Sequence, residues 1–276
     1  MRGNAKRGYC SNVRTQRQRL GQHFLRDAVT ARTIVAALAD DPPRVLEIGP
    51  GRGALTRPLL ARFGHVRTVE LDARLAGGLA RRLGNPGHLD VVSADALTAD
   101  LDRLAGDGPW QVAANLPYSV GTAILRRLLP RHDLFTTLVV MLQREVALRL
   151  VAPPGDRERG LLTLEAEAWA RAELLFAVPP RCFDPPPRVT SAVVRLSLRR
   201  PEAEAAHVGR ALALAAAAFT HRRKQLPNAL AGALGAAVGE CLSAAGVDAG
   251  ARPQELSLAA WLALAGARTR VPRGDG

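Results

Sequence analysis

The chain is short of lysine, of aromatic rings and of cysteine, and each shortage narrows what it can be. Only Lys6 and Lys224 are lysines, yet Lys plus Arg number 38 against 25 Asp plus Glu in 276 residues, a formal charge of +13. Arginine therefore carries the excess, and such a surface suits a polyanion through phosphate contacts and counterion release. Aromatic residues make up 4% of the chain, so each one beside a motif carries weight. Cys10, Cys182 and Cys241 form no CxxC pair and no Cys/His cluster. That excludes a disulfide framework and a zinc site, and no metal is expected. No apolar run is long enough for a membrane span. The N-terminus has no apolar core of the signal-peptide kind, which points to a reduced, cytoplasmic setting. A P-loop, GxxxxGK[ST], is also missing, which argues against ATP or GTP chemistry.

What is present is a hydrophobic content of 47%, enough to bury a sizeable core. Residues 1–20 hold six basic residues and no apolar periodicity, and read as a flexible basic arm. Asp27 is placed to cap a helix reaching Ala39, which Asp40-Asp41-Pro42-Pro43 breaks. An alternation follows: strand Arg44–Ile48, helix Ala54–Phe63, strand Val66–Leu71, helix Arg74–Leu83. Strands Leu89–Ser93 and Gln111–Ala114, helix Thr122–Leu129 and strand Leu138–Leu142 continue it. Short apolar runs between amphipathic helices predict a parallel sheet covered by helices on both faces. Glu145–Val151 and Leu161–Trp169 read as helices, and Leu174–Val178 and Ala192–Leu198 as two more strands. After Arg199-Arg200-Pro201 the pattern is helical only. The reading divides the chain into an arm (1–20), an α/β domain (21–200) and a small helical domain (201–276).

The first strand of the alternation runs into Glu47-Ile48-Gly49-Pro50-Gly51-Arg52-Gly53, and a helix follows at once. Glycines allow a sharp turn and a close ligand approach to helix N–H groups. The spacing is GxGxG rather than the GxGxxG of dinucleotide binders. Glu70 ends the second strand about twenty residues later, where an acid can accept hydrogen bonds from both ribose hydroxyls. Asp95 ends the third and suits an adenine amine; the plainer role is to cap the next segment. Together these predict a nucleoside ligand without charged phosphates, such as S-adenosylmethionine.

The fourth strand ends Asn115-Leu116-Pro117-Tyr118. The lone pair of an adenine N6 is delocalised into the ring, so methylating it requires the nitrogen to pyramidalise. The Asn115 amide oxygen and the Leu116 or Pro117 carbonyl can accept the two N6 hydrogens, and Tyr118 can stack on the base. No dedicated general base is needed, because the proton can leave after transfer.

With these residues in view, the chain resembles the ribosomal RNA adenine N6,N6-dimethyltransferase family, and within it the bacterial small-subunit branch. The motifs that carry the resemblance include Gly21-Gln22-His23-Phe24-Leu25, Glu47-Ile48-Gly49-Pro50-Gly51, Val69-Glu70-Leu71-Asp72 and Asn115-Leu116-Pro117-Tyr118. Met141-Leu142-Gln143-Arg144-Glu145-Val146, Phe183-Asp184-Pro185-Pro186-Pro187-Arg188-Val189 and Ser191-Ala192-Val193-Val194-Arg195-Leu196 continue it. The resemblance implies a Rossmann-like S-adenosylmethionine-dependent methyltransferase sheet with a small all-helical C-terminal domain. It implies that His23 and Leu25 close over the cofactor, with Gly49, Gly51, Glu70, Asp95 and Asn115 around it. The implied substrate is a pair of adjacent adenines near the 3' end of small-subunit rRNA, methylated by a monomer during ribosome assembly. His23 stands where the family often has Asn, and Ser119-Val120-Gly121 departs from the family's loop. Phe183 is a second candidate to stack on the base, with core packing as its alternative. Arg222, Arg223 and Lys224 are candidates for gripping RNA. The competing readings are a large-subunit methylase, an assembly factor that has lost catalysis, and a DNA adenine methyltransferase.

Overall fold

The computed structural model describes residues 23–106 and 108–270. The basic arm assigned to residues 1–20 lies outside the described residues. Nine strands lie among them: β1 (Phe24–Leu25), β2 (Arg44–Ile48), β3 (His65–Glu70), β4 (Leu89–Ser93), β5 (Trp110–Asn115), β6 (Phe135–Gln143), β7 (Ala170–Val178), β8 (Phe183–Asp184) and β9 (Ser191–Leu198). Seven of them form one sheet in the order β4-β3-β2-β5-β6-β9-β7.

The strands alternate as a doubly covered sheet requires. Val45, Ala113, Val139 and Met141 pack on one face with Ile34 and Val35 of helix Ala28–Ala36 and Leu59 of helix Thr56–Arg62. Leu46, Val112, Ala114, Leu138 and Val140 pack on the other with Ile124, Leu125 and Leu128 of helix Gly121–Leu128. Asp27 caps the first helix as expected: its Oδ2 accepts from Thr30 N at 2.7 Å and Thr30 Oγ1 at 2.5 Å.

The alternation forms a parallel sheet as expected, and two features lie beyond that expectation. The sheet is parallel only from β4 to β6; β9 runs antiparallel to both β6 and β7. A βαβ crossover forces parallel pairing, but β7 and β9 are joined by the short proline-rich segment 179–190 and can pair directly. The second is the two-stranded clip of β1 and β8, in which Phe24 opposes Asp184 and Leu25 opposes Phe183. It ties the start of the described chain to the far end of the α/β region.

The C-terminal helices, Ala205–Phe219, Leu226–Leu234, Val238–Ala244 and Leu258–Arg270, have a core of their own. Ala211, Ala215, Ala218, Leu230, Trp261 and Leu264 fill it, together with Leu164 of helix Leu161–Trp169. Arg159 is fully buried at this junction, with both terminal nitrogens on Glu167 at 2.6 and 2.8 Å. Nη1 and Nε also reach the carbonyls of Ala152 and Leu256, so the buried charge is both paired and hydrogen-bonded to main chain.

Candidate active site

β2 leads outward through β3 to β4, and the chain then returns to place β5 on the other side of β2. That reversal is the switch point of the sheet, where ligands bind beyond the carboxyl ends of the strands. A cavity of about 390 Å³ opens there, walled largely by the strand ends and the loops that follow them. Gly49 and Gly51 follow β2, Glu70 and Leu71 end β3, Asp95 to Leu97 follow β4, and Asn115 to Val120 follow β5. His23 and Phe24, held by the clip, close the remaining side.

The glycine turn is held at both ends. Gly49 N–H donates to the Val69 carbonyl at 2.9 Å, and Gly51 N–H donates to Glu70 Oε2 at 3.0 Å. Gly51 has φ +55°, and a Cβ there would stand 2.9 Å from the Phe24 ring. Phe24 therefore lies directly on the turn, with the Arg52 guanidinium 4.8 Å from its ring centre. Glu70 is almost fully buried, and its Oε1 accepts from Asp72 N–H at 2.9 Å. Both oxygens are thereby fixed, and each retains a further lone pair for a hydroxyl.

Beneath the turn lies an acid that the sequence reading passed over. Glu47 is buried, and burial, reinforced by the nearby Glu70 charge, pushes its carboxyl up to about 8. At neutral pH it is therefore a neutral acid, and the acidic side chains that line the cavity are those of Glu70 and Asp95. Asp95 caps the segment that follows it, its Oδ1 accepting from Leu97 N–H at 2.8 Å, and it also lines the cavity.

Asn115 Nδ2 donates to the His23 carbonyl at 3.1 Å, which fixes the orientation of its amide. Among the described residues no hydrogen bond reaches Asn115 Oδ1 or the Leu116 carbonyl. The Pro117 carbonyl is engaged, accepting from Gly121 N–H at 2.8 Å and Val120 N–H at 3.2 Å. Of the two carbonyls left open by the sequence, Leu116 is the one with free lone pairs. Tyr118 is half-buried, tilted 35° to the His23 ring at a centroid distance of 5.6 Å, and bonded to Ser191 Oγ at 2.5 Å. His23 Nδ1 meets the Pro185 carbonyl at 2.8 Å, so the loop, the clip and the proline-rich segment form one assembly.

Two sequence assignments change here. Phe183 is 1% exposed and packs in the core with Leu25 and Ile34; it offers no face to a base, and core packing is its role. The side chain of Leu25 is also in that core, and His23 and Phe24 are the described residues of the motif that line the cavity. Arg222 turns its guanidinium to the Arg157 carbonyl, which leaves Arg223 and Lys224 as the exposed cations of the basic cluster. None of the three lines the cavity. Phe24, Glu47 and Ser191 were missed, although all three stand within motifs that were read.

A Rossmann-like sheet with a switch-point cavity, a glycine turn too close for a Cβ and a carboxylate at the end of β3 defines a nucleoside-binding methyltransferase. The residues fit S-adenosylmethionine: Glu70 and Asp95 offer acceptors to the nucleoside, and Ile48, Val69 and Leu97 give apolar walls. The Ribosomal RNA adenine dimethylase family matches residues 13–267, and the chain belongs to that family. It is 42% identical over 255 residues to a ribosomal RNA small subunit methyltransferase A of Alcanivorax borkumensis, covering 90% of this chain and 89% of that one. It is 43% identical over 248 residues to the protein of that name from Rubrobacter xylanophilus, covering 90% and 93%. Among solved structures, the 23S rRNA methyltransferase ErmE superposes with a TM-score of 0.69 at 31% identity, covering 89% of this chain and 99% of that one. A dimethyladenosine transferase from Plasmodium falciparum, 22% identical with a TM-score of 0.71, covers 88% and 96% and shares the fold.

Proposed function

We propose that this chain dimethylates N6 of two adjacent adenines near the 3' end of small-subunit rRNA, as a cytoplasmic monomer acting during ribosome assembly. The observation that carries the chemistry is the Asn115 amide, held by the His23 carbonyl with its oxygen unused. S-adenosylmethionine, when bound, supplies an electrophilic methyl group on a sulfonium. Asn115 Oδ1 and the Leu116 carbonyl accept the two N6 hydrogens and draw the lone pair out of conjugation with the ring. Tyr118 stacks on the extruded base, which contributes about 1–3 kcal/mol. The cavity walls exclude water, and positive charge developing on N6 faces two fixed dipoles, the arrangement that lowers a barrier without reorganisation. The surplus N6 proton then passes to solvent, leaving N6 ready for a second round.

The choice of the small subunit rests on the names and on the 42% and 43% identity of the two relatives, against 31% for the large-subunit methyltransferase. Incubation with labelled S-adenosylmethionine and undermethylated small or large subunits, followed by mapping of the labelled nucleotide, tests it. Label in two adjacent adenines of the small subunit is expected. Label confined to the large subunit would overturn the substrate assignment while leaving the acceptor chemistry in place.

A further inference from the structure

We infer that Ser191 is a positioning residue for the target base, acting through the hydroxyl of Tyr118. This deepens the proposed function and rests on Tyr118 stacking there. Ser191 opens β9 and is fully buried. It sits in register between Gln143 of β6 and Val178 of β7, a point in the sheet with little freedom to move. Tyr118, by contrast, stands on the irregular loop between β5 and the helix Gly121–Leu128. The 2.5 Å bond from Tyr118 Oη to Ser191 Oγ therefore staples a loop aromatic to the sheet.

The consequence is geometric. A tyrosine ring is a lever about 6 Å long from Cα to hydroxyl, and fixing both ends removes the side-chain swing that a stacking platform cannot tolerate. The loop alone does not supply this restraint, because its backbone bonds lie at the Pro117 carbonyl and at Leu116 N–H. His23 abuts the ring but bonds to the Pro185 carbonyl, so it limits the ring on one side without anchoring the hydroxyl. Burial raises the Tyr118 phenol above its ordinary value, so the hydroxyl stays protonated and able to bond throughout the working pH range. A phenylalanine would stack as well as a tyrosine; the hydroxyl is needed for the staple.

A double-mutant cycle tests this on the full-length protein with undermethylated small subunits. Ser191→Ala and Tyr118→Phe should each raise KM for the subunit about three- to tenfold, with a smaller effect on the single-turnover rate at saturation. Because both remove the same bond, the double variant should be no worse than either single one. Tyr118→Phe keeps the packing, so the cycle remains readable even if Ser191→Ala costs some thermal stability. Effects that multiply, or a Ser191→Ala variant whose melting temperature falls while its KM is unmoved, would overturn the staple. Tyr118→Ala separates the two levels. If it damages KM while Ser191→Ala and Tyr118→Phe do not, the inference alone fails; if it is silent, the stacking role and the inference fail together.

Discussion

Asn115 Nδ2 donates to the main-chain carbonyl of His23 across 92 residues of sequence, at 3.1 Å. This bond makes the clip part of the active site: it commits an N–H of the amide to the His23 carbonyl and leaves the amide oxygen for substrate. It also explains how His can stand at position 23. Its carbonyl meets Asn115 whatever the side chain is, and the His ring finds its own partner in the Pro185 carbonyl.

The neutral acid beneath the glycine turn should be visible as a pH dependence of stability. Folded Glu47 holds its proton up to about 8, whereas the unfolded chain releases it near 4.5. Between these values the folded state binds more protons, so its stability falls as pH rises, by roughly 1.4 kcal/mol per unit for one group. Glu47→Gln should remove this slope and be more stable than the parent at pH 8. Urea denaturation at pH 6, 7 and 8 checks it; parallel profiles for parent and variant would mean that Glu47 is ionised in the fold.

Gly51→Ala should weaken S-adenosylmethionine binding. The alanine must adopt φ +55° and place its Cβ 2.9 Å from the Phe24 ring. A left-handed conformation costs a non-glycine residue about 1–2 kcal/mol, and Phe24 must also leave its place on the cavity wall. Calorimetry should show affinity reduced about tenfold or more. An unchanged affinity would remove Phe24 and the turn from the binding surface.

Arg223→Glu with Lys224→Glu should weaken binding to the small subunit and flatten its salt dependence by about one to two units of slope. Arg222 is left in place because its contact with the Arg157 carbonyl ties the helical region to the neighbouring loop. Neither substituted residue lines the cavity, so cofactor affinity should hold. An unaltered salt slope would reduce the cluster to a solubility feature.

Much of this architecture is legible in the sequence because it rests on periodicity and on strand ends. The strands Arg44–Ile48 and Leu89–Ser93 have the expected bounds, and Glu70, Asp95 and Asn115 meet at one cavity because Glu70 and Asn115 close parallel strands and Asp95 closely follows another. Strand direction is another matter: the alternation in Ala192–Leu198 is the same whether its neighbour runs parallel or antiparallel. The five-residue helix Leu101–Ala105 and the two-residue strands of the clip are too short to show a period. For Phe183 the sequence left base stacking and core packing open, and the pairing with Leu25 decides for the core. Glu47 and Ser191 were hidden for a related reason, since burial and a partner 73 residues away are properties of the fold.

The central claim is that Asn115 accepts from N6 in the transition state, and Asn115→Ala tests it most directly. Single-turnover methyl transfer should be measured with small subunits and S-adenosylmethionine both saturating, beside an independent measurement of subunit affinity. An interaction realised mainly in the transition state lowers the rate constant and leaves binding nearly intact. The expected result is a rate reduced by about 10²–10³ with subunit affinity within a few-fold of the parent. Transfer within a few-fold of the parent rate would contradict the account and move the acceptor role elsewhere in the cavity.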